Sequence, residues 1–172
     1  MGANELYVMP NGYIYEQVGA VNSEEALPVA LYLVKTDNGN ILFDTGMNPA
    51  VITDAKGTWG KLVNFFQPVM TEEDHPLRRL EQIKMKPEDI DYVVLSHLHF
   101  DHAGAMNFFL SSKFIVQREE YRSAMYPDFL FRGGYRKQEL KLPHLQWEII
   151  EGDQVLVPGV TLVLTHGHTL SL

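Results

Sequence analysis

A short apolar run, Tyr92-Val-Val-Leu-Ser96, empties directly into His97-Leu-His-Phe-Asp-His102 and then Ala103-Gly104. This segment constrains the fold more than any other, because its chemistry needs a strand that ends in an open loop. In extended backbone the side chains at 97 and 99 leave on the same side, so two imidazoles can converge on one ion. Asp101 and His102 follow where the chain turns toward Gly104, placed to face a second ion beside the first. Open α/β sheets build their sites where strand ends run into loops, which is the position this segment takes.

The sequence contains no cysteine. A disulfide framework, thiolate zinc ligands, an iron–sulfur cluster and a cysteine nucleophile are excluded together, and any metal must be held by His, Asp and Glu. Imidazole and carboxylate suit zinc, with iron, manganese or cobalt as alternatives. A zinc needs at least a third protein ligand. Thr165-His-Gly-His-Thr169, after the last apolar run, offers His168, which follows a glycine that lets the backbone come close. His166 is open between a ligand, a partner of a ligand and a solvent-facing neighbour. His75 and His144 stand alone and read as surface residues. Asp44 closes an apolar run and is followed by Thr-Gly. It either caps its own turn or accepts a proton from a liganding His and so fixes the tautomer.

The remaining pattern supplies a framework for these residues. Val29–Lys35 and Ile41–Asp44 flank the turn residues Asp37-Asn-Gly-Asn40 and predict a largely buried hairpin. Asn48–Phe66 reads as a long excursion with aromatic residues. An N-cap pattern at Thr71-Glu-Glu-Asp74, with Leu77, Leu80 and Ile83 on one face, predicts an amphipathic helix ending before Pro87. Strands are predicted at 92–96, 113–116, 146–150, 154–157 and 160–165, the last two joined by Pro158-Gly159. Arg118–Met125 reads as a helix and Tyr126–Arg136 as a surface loop. Strands interleaved with helices imply an α/β layered domain. At 172 residues, 45% of them hydrophobic, the chain suffices for one domain, 1–172, with a sizeable core.

Charge narrows the partners. With 14 Lys+Arg against 22 Asp+Glu the net charge is -8, which argues against nucleic acid and anionic lipid. Met1–Pro10 lacks a basic n-region and an apolar h-region, and no apolar run reaches membrane-spanning length. The expectation is a cytoplasmic protein.

Taken together, Phe43-Asp-Thr-Gly46, Ser96-His-Leu-His-Phe-Asp-His-Ala-Gly104 and His166-Gly-His168 resemble the metallo-β-lactamase superfamily. Leu6-Tyr-Val-Met-Pro10, Leu27-Pro28, Ile41–Met47, Met70-Thr-Glu-Glu-Asp74, Ile115-Val-Gln117, Leu142-Pro-His-Leu145 and Ile150-Glu-Gly-Asp153 narrow the resemblance to the quorum-quenching N-acyl-homoserine lactone lactonases. The resemblance implies a four-layer αβ/βα sandwich with a site for two zinc ions at one edge. It places His97, His99 and His168 on the first metal and Asp101 and His102 on the second. It also implies that Asp101 passes a proton to the leaving alkoxide as a lactone ring opens. Asp44 would support a liganding His, and Phe100, with Trp59, Phe65 and Phe66, would form an apolar wall for the acyl chain.

The resembled family continues past its last Gly-His into further strands that carry a bridging carboxylate, a final His and a tyrosine. This sequence stops at Thr169-Leu-Ser-Leu172, and His166 stands where the family usually has Pro. The expectation is therefore a sandwich incomplete at its C-terminus, lacking the last strands and helix, with a weak second metal and low or no lactonase activity. An uncovered sheet edge would favour a homo-oligomer. A glutathione thioesterase of the same superfamily, and a non-catalytic metal-binding remnant, are the competing readings.

Overall fold

The computed structural model describes residues 3–18, 21–128 and 133–169. It opens on two long antiparallel strands, β1 (Ala3–Val18) and β2 (Val21–Thr36). The sequence pattern does not reveal β1, because Pro10-Asn-Gly12 interrupts its alternation. The fold absorbs these residues as a register shift between Pro10 and Tyr13, with Gly12 at φ 94°. The predicted hairpin follows, with β3 (Gly39–Phe43) paired to β2 from Thr36↔Gly39 to Tyr32↔Phe43.

The aromatic excursion holds α1 (Val51–Trp59), broken at Asp54, and a 3₁₀ turn over Gly60–Asn64, before β4 (Phe66–Val69) returns to pair with β1. The helix predicted from Thr71 starts later. Thr71 and Asp74 close a capping box on a 3₁₀ turn, and α2 (Pro76–Gln82) begins beyond it. His75 is the N-cap of α2: its Nδ1 accepts the Leu77 N–H at 3.1 Å and its ring meets Phe108 edge-on at 5.0 Å. This residue, expected at the surface, is half-buried for that reason.

β5 (Tyr92–Val94) and β6 (Lys113–Gln117) extend the sheet in parallel from β3. α3 (Arg118–Met125) and α4 (Lys137–Leu140) precede β7 (Gln146–Ile150), the last parallel strand. The order across this seven-stranded sheet is β4-β1-β2-β3-β5-β6-β7. A separate hairpin pairs β8 (Gln154–Val157) with β9 (Val160–Leu162), which stops short of the predicted Thr165.

β5 and β6 are covered on both faces, which is why they read as apolar runs, whereas the edge strand β7 mixes polar with apolar residues. On one face Leu33, Leu42, Val93 and Phe114 pack with Leu80 of α2 and Met125 of α3. On the other, Ile41, Val94, Ile115 and Ile150 meet Val157 of the hairpin. A helical layer, the sheet and the hairpin are thus stacked among the described residues. A third cluster, with Met47, Trp59, Met70 and Phe100, fastens the excursion to the loop after β5.

Candidate metal centre

Because β3 and β5 run parallel, their carboxyl ends lie side by side, and both chains leave the sheet there. Asp44 takes φ 62°, a left-handed conformation that aspartate tolerates better than most residues. Its N–H donates to the Val94 carbonyl at 2.8 Å, and the Thr45 N–H donates to the His102 carbonyl at 2.7 Å. Gly46 pairs with Ala103 and lies against the Asn11 side chain, where a Cβ has no room. The Asp44 turn and the His-rich turn are thereby clamped to one another by backbone.

Within the His-rich turn Leu98 enters the core, with 1% exposure. The His97 ring centroid lies 4.6 Å from His99 and 4.8 Å from His168, and His99 lies 5.2 Å from His168. One nitrogen from each of the three falls within 4.8 Å of the others. His102 stands 4.1 Å from His97, centroid to centroid, and its Nε2 is 3.4 Å from Asp101 Oδ2. His166, two residues before His168, is exposed.

Hydrogen bonds assign the tautomers. Asp44 Oδ1 accepts the Ser96 N–H and Oδ2 accepts the Ser96 hydroxyl, both at 2.8 Å. With its only proton given to Asp44, the Ser96 oxygen must accept from His97 Nδ1, 3.0 Å away. His102 Nδ1 lies 2.8 Å from Asp44 Oδ2 and donates to it. In His97 this leaves Nε2 as a lone pair, and that atom is buried without a hydrogen-bond partner among the described residues. A bare imidazole nitrogen facing two other imidazoles fits a divalent metal held by His97, His99 and His168.

Electrostatics agree with that fit. Burial, then the neighbouring His102 and His99, hold the His97 imidazole down to about 2. Burial, partly offset by Asp101, brings His99 to about 4. Both rings are neutral at pH 7, the form that ligates. For His102 burial opposes the charge, but hydrogen bonds to Asp101 and Asp44 outweigh it and push the group up to about 10. Burial likewise opposes ionisation of Asp101, yet the His102 hydrogen bond and charge keep its pKa below the ordinary carboxylate value. The Asp44–His102–Asp101 chain therefore attracts positive charge.

The cluster opens into a groove of about 1250 Å³ lined by Trp59, Phe65, Phe66 and Phe100, and into a cavity of about 560 Å³ beside Tyr126 and Tyr135. Phe100 is 6% exposed and packs edge-on to Trp59 at 4.6 Å and tilted to Phe66 at 5.4 Å. It is part of the core first, and only its remaining surface lines the groove. Ser96 and Tyr135 escaped the sequence analysis as site residues. Ser96 adjoins the motif and so carried a signal, whereas Tyr135 sits in a Gly-rich stretch that gave none.

Residues 25–172 match the family model of the metallo-beta-lactamase superfamily. The chain belongs to the metallo-beta-lactamase superfamily. Within this superfamily it is 40% identical over 180 residues to an N-acyl homoserine lactonase of Bacillus thuringiensis, covering 98% of this chain and 68% of that protein. A solved N-acyl homoserine lactone hydrolase, with the product N-hexanoyl-L-homoserine at its catalytic metal center, superposes with a TM-score of 0.81 at 40% identity over 99% of this chain and 68% of its own. The dizinc quorum-quenching lactonase AidC shares the fold at 17% identity, with a TM-score of 0.59 over 99% of this chain and 71% of its own. The superfamily fold and its metal-dependent hydrolases agree with the strand-end position of the His cluster.

Proposed function

We propose that this protein hydrolyses N-acyl homoserine lactones at a zinc centre held by His97, His99 and His168, with Asp101 and His102 facing a second metal. The observation that carries this reading is the unpartnered Nε2 of His97 in a three-imidazole cluster at the mouth of an apolar groove. The identity to N-acyl homoserine lactonases supports the substrate class. When bound, zinc, or iron, manganese or cobalt in its place, supplies Lewis acidity and makes water a competent nucleophile at neutral pH.

The chain's own residues do the rest. Asp44 and Ser96 keep the Nδ1 protons of His102 and His97 in place, so that both Nε2 atoms face the centre. Water adds to the lactone carbonyl carbon, the ring C–O bond breaks, and the alkoxide leaving group needs a proton. Asp101, ionised and beside His102, takes the proton lost by water and delivers it to that alkoxide, giving an N-acyl-homoserine. Phe100, Trp59 and Phe66 shield the acyl chain from water.

No helix among the described residues is long and apolar enough to cross a membrane, and we place the activity in the cytoplasm. A second copy would pair along an edge strand, β4 or β7. Parallel assays of N-hexanoyl homoserine lactone and a glutathione thioester test the substrate reading. A kcat/KM higher for the lactone is expected, and a clear preference for the thioester would overturn it.

A further inference from the structure

The peptide between the two adjacent imidazoles rests on a buried carboxyl group. Glu120 of α3 is 0% exposed, and its Oε1 accepts the Leu98 N–H at 2.8 Å. Its Oε2 is buried and meets no donor in ideal geometry, and no ion pair among the described residues includes the side chain. Burying a carboxylate with neither a cation nor a full set of donors is costly, so a side chain kept in this state acts on its surroundings.

Those surroundings are the metal loop. Tyr135, 8% exposed, has its phenol beside the same carboxylate, and burial, then the charge of Glu120 and a hydrogen bond to it, raise the phenol pKa. The Tyr135 ring lies 5.0 Å from the His99 ring, tilted by 55°. The two residues also form a backbone bridge, and the Gly134 carbonyl accepts the Phe100 N–H at 3.0 Å. One carboxylate thus sits under the His97–His99 peptide and beside the aromatic ring that backs His99.

We infer that Glu120 is a positioning residue for the metal centre. It fixes the Leu98 peptide so that His97 and His99 project to one side, and it anchors the phenol that presses Tyr135 onto His99. The inference rests on the reading of His97, His99 and His168 as metal ligands.

Zinc affinity, measured by competition with a chromophoric chelator well below the melting temperature, tests it, together with the visible spectrum of the cobalt-loaded protein. Glu120→Ala should bind zinc about 10- to 100-fold more weakly, with a shifted cobalt spectrum, while Glu120→Gln, which keeps the acceptor oxygen, should stay within about threefold. Ser112→Ala is the control. Its hydroxyl donates to the Ile90 carbonyl at 2.7 Å at the amino end of β6, away from the site, so its loss should lower the melting temperature and leave zinc affinity unchanged. An affinity for Glu120→Ala equal to that of Ser112→Ala would overturn the inference. Should Glu120→Ala not fold, Tyr135→Phe decides: weaker zinc binding at an unchanged melting temperature supports the anchor, and unchanged affinity refutes it. Failure of the unsubstituted protein to bind zinc would overturn the ligand reading and this inference with it, whereas equal binding by wild type and Glu120→Ala overturns this inference alone.

Discussion

Asp44→Asn should keep the fold and weaken the metal centre. Asparagine accepts the left-handed φ of 62° at this position and can still take the Ser96 N–H on its carbonyl oxygen. The atom replacing Oδ2 becomes an NH₂ that faces the Ser96 hydroxyl and His102 Nδ1, both now 2.8 Å from an acceptor. Two donors cannot meet, so His102 must give up its Nδ1 proton and present that nitrogen as an acceptor, which confines its remaining proton to Nε2, the atom needed by a metal. The Ser96 hydroxyl loses its acceptor as well and is freed to donate toward His97 Nδ1, which undoes the second tautomer. Losing such an orienting partner costs about 10- to 100-fold in metal affinity, which is about 1.4 to 2.8 kcal/mol. Asp44→Ala adds a left-handed penalty of about 1–2 kcal/mol to folding itself. Titration calorimetry with zinc, paired with thermal melting of the metal-free protein, separates the two effects. Asp44→Asn binding zinc with wild-type affinity and stoichiometry would refute the tautomer reasoning.

Other expectations follow from individual contacts. Glu139 is pushed up to about 7 by burial, which its bond from Asn48 and the charge of Arg136 only partly offset. Its proton is held more tightly in the folded state, so its contribution to stability is complete below about pH 4.5 and is lost as pH rises through about 7. At about 1.36 kcal/mol per pH unit this amounts to roughly 3 kcal/mol. Glu139→Gln should flatten that slope in urea denaturation at pH 5 and pH 8, and an equally steep slope would contradict it. Gly134→Ala would bring a Cβ to 2.5 Å from His99 Cδ2, so zinc binding should weaken, with an overpacking cost of about 1–3 kcal/mol in chemical denaturation. Phe100→Ala should lower stability by about 3–5 kcal/mol through the cavity left between Trp59 and Phe66. It should also raise KM for long-chain lactones more than for short-chain ones, and a uniform change in KM would count against the apolar wall.

The sequence was legible where one segment states both its conformation and its chemistry. His97, His99, Asp101 and His102 could be singled out because an apolar run ends just before them and imidazole and carboxylate recur within six residues, and β3, β5, β6, β7 and α3 could be placed because apolar runs and turn residues agree. β1 was hidden because Pro10-Asn-Gly12 breaks the alternation, and tertiary pairing with β2 and β4 overrides that local signal. The start of α2 was misplaced because a capping box also suits a 3₁₀ turn, and Pro76 fixes the later start. For Asp44 two roles were open, a cap on its own turn and a partner for a His; its carboxylate oxygens bond to Ser96 and His102, and no bond to the backbone of its own turn is found among the described residues. Glu120 and Tyr135 could not be found at all. Their positions depend on α3 and the segment before α4 packing beneath a loop that is distant in the sequence, a relation that no local pattern encodes.

If His97, His99 and His168 form one metal site, zinc must stabilise the folded protein against heat. A ligand that binds only the folded state raises stability by RT ln(1 + [L]/Kd), about 2.7 kcal/mol at 100 Kd. A zinc-dependent rise in melting temperature is expected for the wild-type protein, reversed by a chelator and abolished in His97→Ala and in His168→Ala. A rise of the same size in those two variants, or none in the wild type, would contradict it.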